Sequence, residues 1–463
     1  MSRAVDSGSF RDPAGFVFRH QSQLYRQINK KGKEDFEYLT DSGLYGELQD
    51  KKLLISHRLI QSVAVFGDDP KRHAVIKPTP VPFISYPYEW TFSQLKAAAL
   101  LTLEVQRRAL ARGMILKDAS AYNIQYIGKE PILIDSLSFK KYQDGAPWEG
   151  YKQFCEHFIA PLALASYTSP TVLRTLQVFL DGIPLALATT QLPRRARFNR
   201  GLLAHLFLHG ASQKRYQSAN TGSSKRRKVS MLAQNGLLAS LERTTKRLNL
   251  RQQITEWGDY YNFTNYSEAA FRAKQKVVSN MLTKISPKTK IVWDLGANDG
   301  TFSLLAAARG AYTVAFDIDP VAVERNFKTK ENDPSDLLIL PLVQDFINPS
   351  PALGWAHRER QSLLQRGPAD VVLALALLHH LAIGNNVPLP RVADFLAELA
   401  RHLIIEFIPK SDSMVQRLLA SRQDIFDDYT QAGFEAAFKR RFGLINKQTV
   451  RGSQRTIYLY RLK

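Results

Sequence analysis

The second half of this 463-residue chain reads as an α/β arrangement on a parallel sheet, and the first as a smaller α+β arrangement. Three observations carry that reading. From Lys290 onward, short apolar runs alternate with helical stretches, the pattern of a sheet buried on both faces. Before residue 193, a hairpin, short strands and one long helix follow one another without that alternation. Between the two halves lies a basic stretch that suits neither. The length admits two to four domains, and the divisions expected are 1–192, 193–251 and 252–463.

Composition narrows the class. At 44% hydrophobic and 23% charged residues, the chain has the balance of a globular protein. No uninterrupted apolar run reaches the ~18 residues of a membrane span, and MSRAVDSGSFRDPAGF lacks the apolar stretch of a secretory signal. The single cysteine, Cys155, excludes an internal disulfide and a cysteine-clustered metal site. A cytoplasmic protein with no metal centre is the expectation. Of the net charge of +21, residues 193–251 carry +13, with fourteen Lys/Arg against Glu242 alone. The part 212–230 holds a KRRK run among Ser, Asn, Gln and Gly, a composition that buries too little apolar surface to order itself. It reads as a loop flanked by amphipathic helices near Leu202–Leu208 and Leu237–Leu248. A solvated tether is the plain reading of 193–251; a clamp on nucleic-acid phosphates is the sharper one.

In the first half, Phe16–Arg19 and Leu24–Ile28 alternate around HQSQ as a hairpin. The stretch Lys33–Lys51 reads as a helix, and Val63–Phe66, Ala74–Lys77 and Phe83–Tyr86 as short strands. A long helix runs from Thr91 to Arg112 and ends at Gly113. LKDASAYNI follows, and then the apolar run ILIDS delivers Asp135.

In the second half, strands are expected at Lys290–Leu295, Tyr312–Asp317, Leu337–Val343, Asp370–Leu375 and His402–Phe407. Helices follow GANDG and Val321. Pro341 places the third strand at an edge, because proline donates nothing to the ladder. FGLINKQTV and RTIYLYRL around RGSQ read as a closing antiparallel hairpin.

Ligands of such sheets bind beyond the carboxyl ends of the strands. The turn after the first strand is Gly296-Ala297-Asn298-Asp299-Gly300, with Asn298 where a dinucleotide fold places its second glycine. Asp294 and Asp299 beside it would repel a pyrophosphate and attract a cation without phosphates. S-adenosyl-L-methionine, with its sulfonium and α-ammonium, has that chemistry. Asp317 ends the second strand at the distance from Asp294 where an acid meets ribose hydroxyls. Asp345 ends the third, placed to accept from the adenine amino group while Phe346 packs on the ring.

WDLGANDGTFS, AFDIDP, LVQDF and LALLHHL resemble, in order and spacing, the motifs of class I S-adenosylmethionine-dependent methyltransferases. The resemblance covers 252–463 and implies a Rossmann-like seven-stranded sheet. By it, Asp294, Gly296, Asn298 and Gly300 shape the cofactor turn, Asp317 holds the ribose and Asp345 the adenine. Trp257, Tyr260, Tyr261 and Tyr266 resemble a lid helix over the methionine end. His379 and His380, after the fourth strand, and Glu406, in the fifth, are the candidates for base or orienter of the acceptor. The fourth-strand motif is not of the D/N-P-P-Y type, which disfavours exocyclic amines and amides as acceptors.

Asp118, Asn123 and Asp135 resemble the catalytic and metal loops of protein-kinase-like and aminoglycoside-phosphotransferase-like folds. The departures are a missing glycine-rich loop, Lys117 before Asp118, Ser136-Leu137 after Asp135 and no evident phosphate-binding lysine, with Arg26 in the hairpin. They point to a degenerate kinase-like domain serving recognition or scaffolding. The function expected is methyl transfer to an unidentified acceptor. The alternatives are a non-catalytic RNA-binding protein with a retained cofactor pocket and a bifunctional kinase–methyltransferase.

Overall fold

A computed structural model of the chain describes residues 4–61, 66–209, 228–250, 267–285, 289–331, 335, 337–420 and 422–463. It divides into two compact units: residues 1–252 with 354–360, and 253–353 with 361–463. Among the described residues, no helix is long and apolar enough to cross a membrane.

The first unit holds a five-stranded antiparallel sheet of β1 (Ala4–Val5), β2 (Gly15–His20), β3 (Gln23–Asn29), β4 (His57–Leu59) and β5 (Arg72–Pro78), in the order β1-β2-β3-β5-β4. The β2–β3 hairpin turns on Gln21 and Ser22, both at positive φ (49° and 62°), which matches the strand twist. The single helix expected over Lys33–Lys51 is two helices, Lys33–Asp41 and Leu44–Asp50. They break at Gly43, whose φ of 75° ends the first. Of the strand expected at Val63–Phe66, residues 63–65 lie outside the described residues.

Phe83–Tyr86, expected as a strand, is not one. Its backbone finds its partner in a side chain: the Gln125 amide accepts from the Ser85 N–H and donates to the Ser85 carbonyl, both at 2.9 Å. Thr91 caps the long helix Phe92–Ala111 by accepting from the Gln94 N–H, and Gly113 (φ 72°) turns the chain out of it. Short antiparallel pairs follow: β6 (Met114–Leu116) with β9 (Phe139–Lys141), and β7 (Ile124–Ile127) with β8 (Glu130–Leu133).

The described part of the basic segment belongs to this unit. Helix Met231–Arg247 packs along Phe92–Ala111, joined by Arg107 to Glu242 and by Lys96, which donates to the Leu248 carbonyl at 2.8 Å. A loose tether there is corrected by these contacts. Of the loop 212–230, only 228–230 are described. Residues 354–360, drawn from the middle of the other unit's sequence, also pack here. Arg360 lies 4.3 Å from the Tyr122 ring centre, and Glu359 pairs with Arg11 at 2.6 Å.

The second unit is a mixed sheet of β10 (Ile291–Leu295), β11 (Tyr312–Asp317), β12 (Ile339–Val343), β13 (Ala369–Ala374), β14 (Ala400–Phe407), β15 (Phe442–Thr449) and β16 (Thr456–Leu462). Their order is β12-β11-β10-β13-β14-β16-β15, with the first five parallel and β16 antiparallel to both neighbours. Pro341 lies in β12, an edge strand. Helices cover the faces: Val277, Val278 and Met281 of helix Glu268–Lys284 share one core with Val292, Val371 and Ile404. This stacking brings the carboxyl ends of β10, β11 and β12 side by side.

Candidate functional site

Strand β10 ends in Asp294-Leu295, and the chain then turns through Gly296 (φ 77°), Asn298 (φ 48°) and Gly300 (φ 82°) into helix Thr301–Ala307. At Gly300 a side chain is excluded twice over. The positive φ disfavours it, and a Cβ would come 2.7 Å from the Asn326 side chain. The turn is stitched to β11, for the Gly296 and Ala297 N–H groups both donate to the Phe316 carbonyl (2.9 and 2.8 Å). The Asn298 N–H donates to the Asp317 carboxylate at 2.9 Å.

Under this turn lies a cavity of about 280 Å3, lined by Asp294, Gly296, Asn298, Asp317, Asp345 and Phe346 among others. These six residues, all singled out in the sequence, thus line one cavity. Gly300 shapes the turn without lining the cavity. Asp294 accepts from the Ser303 hydroxyl at 2.7 Å. Burial pushes its carboxyl up to about 7, aided by Asp317 and Asp299 and opposed by Ser303 and Lys274. Burial likewise raises Asp317 to about 6, against the N–H groups of Asp319 and Asn298. Asp345 accepts from the Ile347 N–H at 2.9 Å, and Phe346 stands edge-on to Phe316 at 5.9 Å. Among the described residues, no cluster of three or more His, Cys, Asp or Glu is arranged to hold a metal.

The cavity is also lined by residues that the sequence reading passed over. Lys274 lines the cavity with its ammonium 2.6 Å from Glu406 and 5.0 Å from the Phe302 ring centre. Burial lowers its pKa, and Glu406 opposes that. Arg455, 2% exposed, also lines it and grips Asp412 through two bonds of 2.7 and 3.1 Å. A signal for Lys274 was present in the sequence: it falls in register with Val277, Val278 and Met281 on the apolar stripe of its helix.

Glu406 departs from its expected place. It does not line the cavity, and its fully buried carboxylate is engaged by Lys274 and by the Ala376 N–H at 2.8 Å. Its carboxylate thus holds Lys274 and the backbone at Ala376, where the chain turns at positive φ (52°). The two histidines divide. His380 lines the cavity, and burial pulls its imidazole down to about 4. His379 lies behind, 1% exposed, with neither ring nitrogen hydrogen-bonded among the described residues and the two ring centres 4.1 Å apart. Burial holds it well below the usual range. The aromatics Trp257, Tyr260, Tyr261 and Tyr266 lie outside the described residues.

In the first unit, Asp118, Asn123 and Asp135 do come together. Asn123 hydrogen-bonds Asp118 and also donates to Ser138 at 3.2 Å, whose hydroxyl donates to Asp135 at 2.6 Å. Burial raises the Asp118 carboxyl, and nearby Asp135 adds to it. Asp135 is the reverse case. Burial alone would raise it, but Arg26, 2.6 Å away, with Ser138 and the Leu137 N–H, holds it below the usual range. A guanidinium therefore pairs with the acid for which the resemblance implies a metal ion.

No protein-family model matches the chain. Among solved structures, the N-methyltransferase NodS of Bradyrhizobium japonicum WM9 is 11% identical, covering 42% of this chain and 98% of that one, at a TM-score of 0.31. Magnesium protoporphyrin IX methyltransferase (ChlM) of Synechocystis PCC 6803, with bound SAH, is 18% identical over 45% of this chain and 93% of that one (TM-score 0.32). The bifunctional kinase-methyltransferase WbdD is 16% identical over 44% of this chain and 42% of that one (TM-score 0.30). These likenesses are too loose to carry an assignment. The likeness in sequence is of another order: the nodulation protein NoeA of Rhizobium meliloti (strain 1021) is 37% identical over 473 aligned positions, spanning 98% of this chain and 95% of that one. Identity of that degree along nearly the whole of both chains places this chain in the NoeA family.

Proposed function

We propose that the second unit is an S-adenosylmethionine-dependent methyltransferase acting on an acceptor still to be identified. One observation carries the reading: acids at three successive strand ends converge on a single cavity, and neither Asp294 nor Asp317 has a salt bridge among the described residues. Burial keeps both carboxyls raised, Asp294 even against the pull of Lys274, and a cationic ligand would relieve that cost. The residues present fit the cofactor. Asp317 would accept from ribose hydroxyls, Asp345 and Phe346 would hold adenine, and the glycine turn leaves room at Gly296. Lys274 and Arg455, which also line the cavity, would give positive charge for the α-carboxylate.

When bound, the cofactor supplies an electrophilic methyl group on a sulfonium. The chain's share is alignment and dehydration. His380, kept neutral at pH 7 by burial, would orient the acceptor or take its proton, with His379 packed behind it. Glu406 acts through Lys274 rather than on the acceptor. The first unit is read as a recognition or scaffold module whose phosphoryl-transfer remnants are closed by Arg26. A cytoplasmic site of action belongs to the same reading. Titration calorimetry of S-adenosylmethionine and NAD against the full chain is the test. Micromolar-range binding of the first alone supports the reading, and binding of NAD with exclusion of the sulfonium compound ends it.

A further inference from the structure

The basic segment does more than carry charge. From Pro193 to His209 there is no acid, and Arg194, Arg195, Arg197 and Arg200 are all exposed. Between them Phe198 is 88% exposed, an extreme value for a phenylalanine. The following turns bury Leu202, His205 and Leu206 against the unit and leave Leu203 (37%) and Leu208 (61%) outside. Residues Leu203–Leu208 form a widened π-type turn. Its bonding five residues apart brings Leu203 and Leu208 to one side, with Phe207 beside them. Arg197 lies 5.2 Å over the Phe207 ring centre, and this helix packs with Arg194–Phe198 and with helix Leu185–Gln191, whose Leu187 is also exposed. Exposed apolar side chains and exposed arginines thus lie together on short elements that pack against one another.

We propose that this face docks on the surface of an anionic phospholipid bilayer. Charge complementarity selects the headgroups, and the apolar side chains select a bilayer over other polyanions. Nucleic acid offers phosphates to the arginines and one stacking partner to Phe198, but nothing to Leu203 and Leu208. At a lipid interface each of these groups gains: arginines stay among phosphates while Phe198, Leu203 and Leu208 enter the acyl boundary.

The test floats the full-length protein with vesicles of phosphatidylcholine alone, or with roughly one quarter phosphatidylglycerol. The expected result is binding only to the anionic vesicles, weakened by salt. It should fall about fivefold for Arg194→Gln or Arg197→Gln and at least tenfold for the double variant Phe198→Ser/Leu208→Ser. These side chains are exposed, so circular dichroism and the melting curve should match the parent. No flotation overturns the proposal. So does flotation unaffected by the Phe198/Leu208 change, or displaced fully by a single-stranded oligonucleotide, either of which reduces the face to a charge patch. A sedimentation coefficient that falls in the double variant also overturns it, marking the face as a contact between copies.

Discussion

Two clusters of acids, one in each unit, differ in how their charge is met. In the first, Arg26 pairs with Asp135 and holds its carboxyl below the usual range, while burial raises Asp118 beside it. Asp294 and Asp317 sit at a cavity with hydrogen bonds from a hydroxyl and N–H groups, Lys274 acts on Asp294 without a salt bridge, and both carboxyls are pushed up toward neutral pH. The sequence patterns that drew attention to them are alike: acids at the ends of apolar runs. The difference is direct pairing: a guanidinium meets Asp135, whereas no salt bridge reaches Asp294 or Asp317 among the described residues.

The largest test of that contrast lies in the second unit. Asp317→Ala should weaken S-adenosylmethionine binding about 100-fold by calorimetry, since a carboxylate facing hydroxyl donors is lost. Asp294→Asn should weaken binding too, yet stabilise the ligand-free protein at pH 8. The sign follows from the raised pKa. Between the unfolded value near ~4 and the folded value of about 7, the native state holds the extra proton. Stability therefore falls as pH rises through that window, and asparagine removes the cost. A melting temperature at pH 8 that drops instead would contradict an uncompensated acid.

Arg26→Ala should do the reverse in the first unit, costing about 2 kcal/mol in chemical denaturation at neutral pH. Asp135 has a lowered pKa, so the pair contributes above the unfolded value and fades as pH falls below it. A loss that is equal at pH 3 and pH 7 would mean that the pair is not the source.

Cofactor binding should strengthen about tenfold from pH 5.5 to pH 7.5 as Asp317 and Asp294 ionise. A flat profile would detach those acids from the ligand. The smallest effect expected is none: magnesium with ATP should leave the melting curve of the parent unmoved, because Arg26 already occupies the acid. A clear shift lost in Asp135→Asn would reopen the phosphotransferase reading.

Much of the second unit was legible beforehand. The runs at Tyr312–Asp317 and Lys290–Leu295 are strands to within a residue, because a doubly buried strand must be apolar throughout. Proline gave the edge position of β12. The first unit was less legible. A glutamine side chain replaced a strand partner at Ser85, and one glycine cut a helix in two. Neither leaves a periodic trace.

Local chemistry and spacing along the chain were enough to name the acids, the glycine turn and the paired histidines, since those depend on residue type and on element ends. Pairing across long separations was decided only by the folded chain. Lys274 reaches Glu406, Arg26 reaches Asp135, and His380 faces the cavity while His379 does not. Whether a buried charge is satisfied depends on what packs within a few ångströms of it, and that neighbour is set by how strands and helices stack rather than by the order of residues.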